Sequence, residues 1–163
     1  MPGNAAIYIA DPSLLGSKLF DQIEGIRSYE GLSQNGSATG VRFKLDAGQV
    51  TMNFMPTPQI EQHLKGFSEF AQSVIKDKDR LIYALSRIRQ VRFVLGCAIT
   101  PNFDESGTIE DFLFRFNGHV NGMLFFEDAL FDYNRQPLGG RHAEKPAVSE
   151  FVTSKPGINT LQG

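Results

Sequence analysis

Two short segments with alternating side chains constrain this sequence more than any other feature. Residues 41–45 (VRFKL) and 50–54 (VTMNF) both place an apolar residue at every second position. Successive side chains of a strand point to opposite faces of a sheet, so each segment predicts a strand with one buried face. Residues 46–48 (DAG) between them supply a turn in which the glycine can adopt a positive φ. The pair therefore predicts a β-hairpin, and the fold must contain a sheet.

Apolar spacing elsewhere predicts the remaining elements. A short apolar run and a nearly continuous one predict strands at residues 6–10 and 91–99, the second being central and covered on both faces. Helical spacing predicts helices over residues 12–26, over 58–88 as two helices or one broken helix, and over 108–121. A last strand is predicted over residues 123–130, and residues 31–40 form a polar loop in this interpretation.

The order of these elements predicts an α+β fold. Its first six elements match a ferredoxin-like β-α-β-β-α-β core, extended by a C-terminal α-β unit, with the helices packed on one face of the sheet. Residues 1–135 are expected to form one α+β domain. Residues 136–163 are polar and rich in Gly, Pro, Ser and Lys, which predicts a loosely held tail.

Composition excludes several classes of protein. A chain of 163 residues is long enough to bury a substantial core without disulfides. It holds one cysteine, Cys97, which lies in the apolar run 91–99 with no neighbouring base, so a buried, inert thiol is expected. The N-terminus lacks the features of a signal peptide, and no apolar run approaches a membrane span, so we expect a cytoplasmic protein without membrane contact. A net charge of −2 argues against a nucleic-acid partner, because binding the phosphate backbone requires clustered lysine and arginine.

Motifs for catalysis and for cofactors are missing from the sequence. There is no G-x-S-x-G elbow, no glycine-rich phosphate cradle and no cysteine-based zinc pattern. The three histidines, His63, His119 and His142, do not pair with other ligands at helical spacing. We therefore predict no catalytic residue, no metal and no cofactor.

One group of acidic residues is an exception to this absence of functional motifs, and we call its predicted location the acidic edge. If the strands at 91–99 and 123–130 are parallel and joined by the helix at 108–121, their C-terminal ends lie on the same edge of the sheet, where α/β folds usually place ligands. Asp104 and Glu105 would leave the first strand there, and Asp132 the second. Three carboxylates close together predict a weak site for a cation or a basic ligand. The alternative is a solvated loop and a turn with no site.

A partner surface is predicted from aromatic and basic residues. The chain has 14 phenylalanines, and Phe114 falls off the apolar stripe of its helix, while Phe103 and Phe131 lie near loop ends. Surplus aromatic residues on a small domain indicate a contact surface. Basic residues concentrate in one segment, which either binds an acidic protein surface, with Arg80 and Arg87 as contacts, or is a solvated helix face. The members of this segment are Lys76, Lys78, Arg80, Arg87, Arg89 and Arg92.

Several segments resemble uncharacterised bacterial domains. They are residues 52–58 (MNFMPTP) before a helix, 94–96 (VLG), 100–104 (TPNFD), 121–125 (NGMLF) and Asp132. The resemblance covers about half of the chain and implies a bacterial protein of a family without an established activity. Some of these domains accompany toxin–immunity loci, which implies a protein-binding role.

These observations favour a non-enzymatic bacterial domain that binds another protein or a second copy of itself as a homodimer, in the manner of an immunity protein. The rival hypothesis is a hydrolase-like or metal-assisted enzyme that uses the acidic edge.

Overall fold

The computed structural model describes residues 3–140, which build one eight-stranded sheet covered by helices. The strands are β1 (Gly3–Ile9), β2 (Ser28–Gln34), β3 (Ser37–Leu45), β4 (Gly48–Phe54), β5 (Phe93–Thr100), β6 (Met123–Phe126), β7 (Ala129–Phe131) and β8 (Pro137–Gly140). The helices are α1 (Ser17–Phe20), α2 (Thr57–Val74), α3 (Lys78–Arg89) and α4 (Thr108–His119), with one 3-10 turn at Pro12–Leu14. The mixed α+β class and the hairpin β3–β4 are confirmed.

The sheet has the strand order β2-β3-β4-β5-β1-β6-β7-β8, and every pairing in it is antiparallel. Because β5 and β6 both run antiparallel to β1, they are parallel to each other with β1 between them. The sheet is larger than the predicted core of six elements, and a ferredoxin-like arrangement is not confirmed.

Helices lie on both faces of the sheet, so the prediction that they pack on one face is wrong. On one face, α1 and α4 cover side chains such as Ile7 and Phe43. On the other face, α2 and α3 cover side chains such as Tyr8 and Val94. The physical reason is visible in β1, whose last three residues, Ile7, Tyr8 and Ile9, are all buried although successive side chains point to opposite faces. Such a strand needs a cover on each side.

Two elements near the N-terminus differ from their predictions. The helix predicted over 12–26 is only the 3-10 turn and the four-residue α1, because extended backbone at Leu15 separates them. The loop predicted over 31–40 is a hairpin of β2 and β3. Its turn is Asn35–Gly36, where both residues have a positive φ, as the turn of a tight hairpin requires.

The predicted strand over 123–130 is a hairpin as well. Glu127 and Asp128 both have a positive φ and reverse the chain between β6 and β7. Beyond β7, the strand β8 pairs with it and carries the sheet past the predicted domain boundary at residue 135. The rest of the predicted tail, and His142 with it, lies outside the described residues.

Candidate binding site

Asp104, one of the predicted acidic residues, caps a helix. Its carboxylate accepts hydrogen bonds from the backbone N–H groups of Thr108 (3.0 Å) and Ile109 (2.9 Å) and from the hydroxyl of Ser106 (2.6 Å). These bonds, led by the one from Ile109, hold the pKa of Asp104 well below its usual range. The side chain satisfies the free donors at the start of α4, while Glu105 beside it is exposed to solvent.

Asp132 lies far from Asp104, because the β6–β7 hairpin carries the chain back across the sheet. Its backbone carbonyl accepts a hydrogen bond from Asn117 in the last turn of α4, whereas Asp104 binds the first turn. Ile109 and Asn117 are eight residues apart on α4, about 12 Å at 1.5 Å per residue, so the two acidic residues are bound at opposite ends of the helix. Among residues 3–140, no three His, Cys, Asp or Glu side chains are placed to hold a metal ion. The predicted acidic edge is therefore not assembled.

Asp132 has a structural role instead. It is 4% exposed, and its carboxylate accepts hydrogen bonds from Tyr83 (2.5 Å) and from Arg87 (3.2 Å). The Arg87 guanidinium also donates to the backbone carbonyl of Asn121 at 2.8 Å. Arg87, predicted as a partner contact, thus joins α3 to the end of α4. Arg80 lies in the first turn of α3, where its backbone N–H binds the carboxylate of Asp77.

The three predicted aromatic contacts meet in one cluster. Phe103, Phe114 and Phe131 gather around the buried ring of Phe126, with ring centroids 5.0–5.7 Å apart in the contacting pairs. All three are half-buried and pack against the core under α4, so the off-stripe position of Phe114 does not leave its ring exposed. The guanidinium of Arg135 also covers the Phe114 ring at 5.1 Å. Their role in partner binding stays a prediction.

A concave surface that the sequence did not reveal lies between α2 and the sheet. We call it the aromatic cleft; it has a volume of about 650 Å³. Its lining includes six aromatic residues, and the β6–β7 turn contributes two carboxylates. The aromatic residues are Tyr8, His63, Phe67, Phe70, Phe125 and Phe126, and the carboxylates are those of Glu127 and Asp128.

Stacking fixes the rings of the cleft. Tyr8 stacks on Phe67 with centroids 4.3 Å apart, and His63 stacks on Tyr8 at 5.7 Å. Phe125 forms T-shaped pairs with Phe67 and Phe70, with centroids 5.6 and 5.3 Å apart. The walls are thus preformed by packing that also belongs to the core under α2.

A hydrogen bond of 2.9 Å joins the Tyr8 hydroxyl to Nε2 of His63. Burial raises the pKa of Tyr8 above its usual range and lowers the pKa of His63. Both side chains are therefore neutral at pH 7. The negative charge of the cleft comes from Glu127 and Asp128 of the β6–β7 turn, which are part of its lining.

Gly66 opens the cleft in the middle of α2. A side chain built on it would meet no atom within 4 Å. A glycine inside a helix lowers stability by about 1 kcal/mol relative to alanine, so its presence there needs a reason. A glycine inside a helix and between aromatic residues is a signal for the cleft that the sequence analysis missed.

Comparison of the chain with family models, with curated proteins and with solved structures finds no match. Within residues 3–140, none of the helices is long and apolar enough to cross a membrane.

Proposed function

We propose that this chain is a non-enzymatic protein-binding domain and that the aromatic cleft is its binding site. The observation that carries the proposal is an open, preformed concave surface whose walls are aromatic and whose polar groups are few. Exposed apolar surfaces of this kind mark contacts with partners. The resemblance to bacterial domains that accompany toxin–immunity loci is in keeping with a protein partner.

The charge of the cleft specifies the chemistry of the partner. Glu127 and Asp128 are part of its lining, and among the described residues that line it there is no lysine or arginine. A cation beside an apolar group would meet both the carboxylates and the faces of the rings, which attract cations. The partner is therefore a segment that carries an apolar side chain next to an arginine or a lysine.

Binding fits the cleft better than catalysis does. The Tyr8–His63 pair is neutral, and His63 is held by stacking and by one hydrogen bond. None of the described lining residues is a serine, threonine, cysteine or lysine. The thiol of Cys97 is buried elsewhere, in the core under α4, where burial raises its pKa to about 12.

Gly66→Leu tests the proposal because it fills the cleft without removing any existing contact. The probe is a short synthetic peptide of leucine and arginine, and binding is measured by calorimetry on the full chain. We expect the variant to lose affinity by about tenfold or more, while its melting temperature equals or exceeds that of the wild type, since leucine is a better helix former than glycine.

Gly31→Leu in β2 is the matched control, because a side chain at Gly31 also meets no atom within 4 Å. It should bind the peptide as the wild type does. The proposal fails if the wild type does not bind the leucine–arginine peptide, or if Gly66→Leu binds it with unchanged affinity.

A further inference from the structure

A second concave surface lies on the opposite side of α2, between this helix and the end of α3. We call it the basic groove; it has a volume of about 500 Å³. Its floor is aliphatic, formed by Ile60, Leu64, Ile88 and Val91. The lining also contains three cationic side chains and one carboxylate. The cations are Lys65, Arg89 and Arg92, and the carboxylate is that of Glu61.

These cations are not used by the fold in the way that Arg87 is. Lys65, Arg89 and Arg92 form no ion pair with any residue between 3 and 140, whereas Arg87 is bound to the buried carboxylate of Asp132. The Arg92 guanidinium does bind the backbone carbonyls of Arg89 and Val91, at the end of α3. The charge around the groove is therefore not neutralised within the described chain.

From this combination of an aliphatic floor and cations without ion pairs, we infer that the basic groove is a second docking site. It binds an acidic segment with apolar anchors from a partner protein. The floor accepts the apolar side chains, and the cations around it pair with aspartate or glutamate. The α2 residues that line the groove lie between positions 57 and 68, a length of about 18 Å, or slightly more than three turns of a helix. Nucleic acid fits less well, because none of the described residues that line the groove has an aromatic ring to stack on a base.

The double variant Lys65→Glu/Arg89→Glu tests this site, since both side chains are exposed and neither makes an ion pair in the described chain. The probe is a short peptide of leucine and glutamate with leucine at helical spacing. Calorimetry on the full chain is expected to show an affinity that falls about tenfold or more in the double variant. A peptide of glutamate and serine, which lacks the anchors, should bind more weakly than the probe.

Lys18→Glu/Lys44→Glu is the matched control, with the same change of charge at exposed lysines away from the groove. It should bind the probe within about twofold of the wild type. Gly66→Leu should do the same, which separates this inference from the function proposed for the aromatic cleft.

Three results would overturn the inference. One is an equal loss of affinity in both double variants, which would mean attraction by net charge alone. Another is tighter binding of single-stranded DNA than of the peptide. The third is a dimer in light scattering that Lys65→Glu/Arg89→Glu converts to a monomer, because the occupant would then be a second copy of this chain.

Discussion

The two surfaces beside α2 use the same helix in opposite ways. In the aromatic cleft, the helix contributes rings that stack into the core, and negative charge arrives from the β6–β7 turn. In the basic groove, it contributes aliphatic side chains and one cation, Lys65, and the other two cations come from the end of α3 and the residues after it. One amphipathic helix thus separates two sites that differ in charge and in the kind of apolar group they offer. The elements that flank α2, and not α2 alone, therefore determine which kind of partner each surface binds.

The largest expected effect concerns the floors of the two surfaces. Phe67 is 7% exposed and stacks on Tyr8, whereas Leu64 in the basic groove is half-buried. Phe67→Ala should lower the free energy of unfolding by about 3–5 kcal/mol, and Leu64→Ala by about 2 kcal/mol, as measured by urea denaturation. A greater loss for Leu64→Ala would contradict the assignment of the aromatic wall to the core.

A second comparison separates the arginines of α3 that support the fold from those that are available to a partner. Removing the buried partner of Arg87 with Asp132→Ala should lower stability by about 3 kcal/mol, because a largely buried charge loses its counterion. Arg89→Ala should stay within about 0.5 kcal/mol of the wild type. Thermal melts of the two variants measure these losses. A similar loss of stability in both would contradict the different roles given to Arg87 and Arg89.

The smallest expected effect is a dependence of peptide binding on pH, which should differ between the two surfaces because only the aromatic cleft contains a histidine among its described lining residues. His63 lines the aromatic cleft together with Tyr8, Glu127 and Asp128, and burial lowers its pKa below the usual value of about 6.5. Below that pH, the unfolded chain binds a proton on His63 more readily than the folded chain does, so this residue makes stability fall as the pH falls. The protonated ring also repels a cationic peptide.

Calorimetry at pH 7.5 and 5.5 should therefore show weaker binding of the leucine–arginine peptide at the lower pH, and His63→Gln should remove most of that change. The leucine–glutamate peptide should be affected less, because Lys65, Arg89 and Arg92 keep their charge over this range. A larger pH effect on the basic groove would contradict this account.

Local patterns predicted much of the secondary structure. The alternation in β3 and β4 and the helical spacing in α2, α3 and α4 act over a few residues, so the sequence alone revealed them. The continuous apolar run of β5 also indicated a strand covered on both faces, which is what the structure has. That signal conflicted with the prediction of helices on one face, and it was the more reliable of the two.

Short hairpins account for most of the errors. Asn35–Gly36 is a strong hairpin signal, and its flanking strand β2 was missed because its residues are polar and exposed. The Glu127–Asp128 turn carries no glycine, so nothing local marked it, and the missed reversal placed Asp132 at the wrong edge. The aromatic cleft escaped prediction because Tyr8 and His63 are far apart in sequence and meet only through packing.

The most direct test of the account maps both peptides onto the chain by the amide chemical shifts of the isotope-labelled protein. We expect the leucine–arginine peptide to move the signals of Gly66, Phe125 and Glu127, and the leucine–glutamate peptide to move those of Ile88, Arg89 and Val91. Either peptide should still bind when the other is present in excess. Shifts of one shared set of amides, or displacement of one peptide by the other, would contradict the claim that α2 separates two sites of opposite charge.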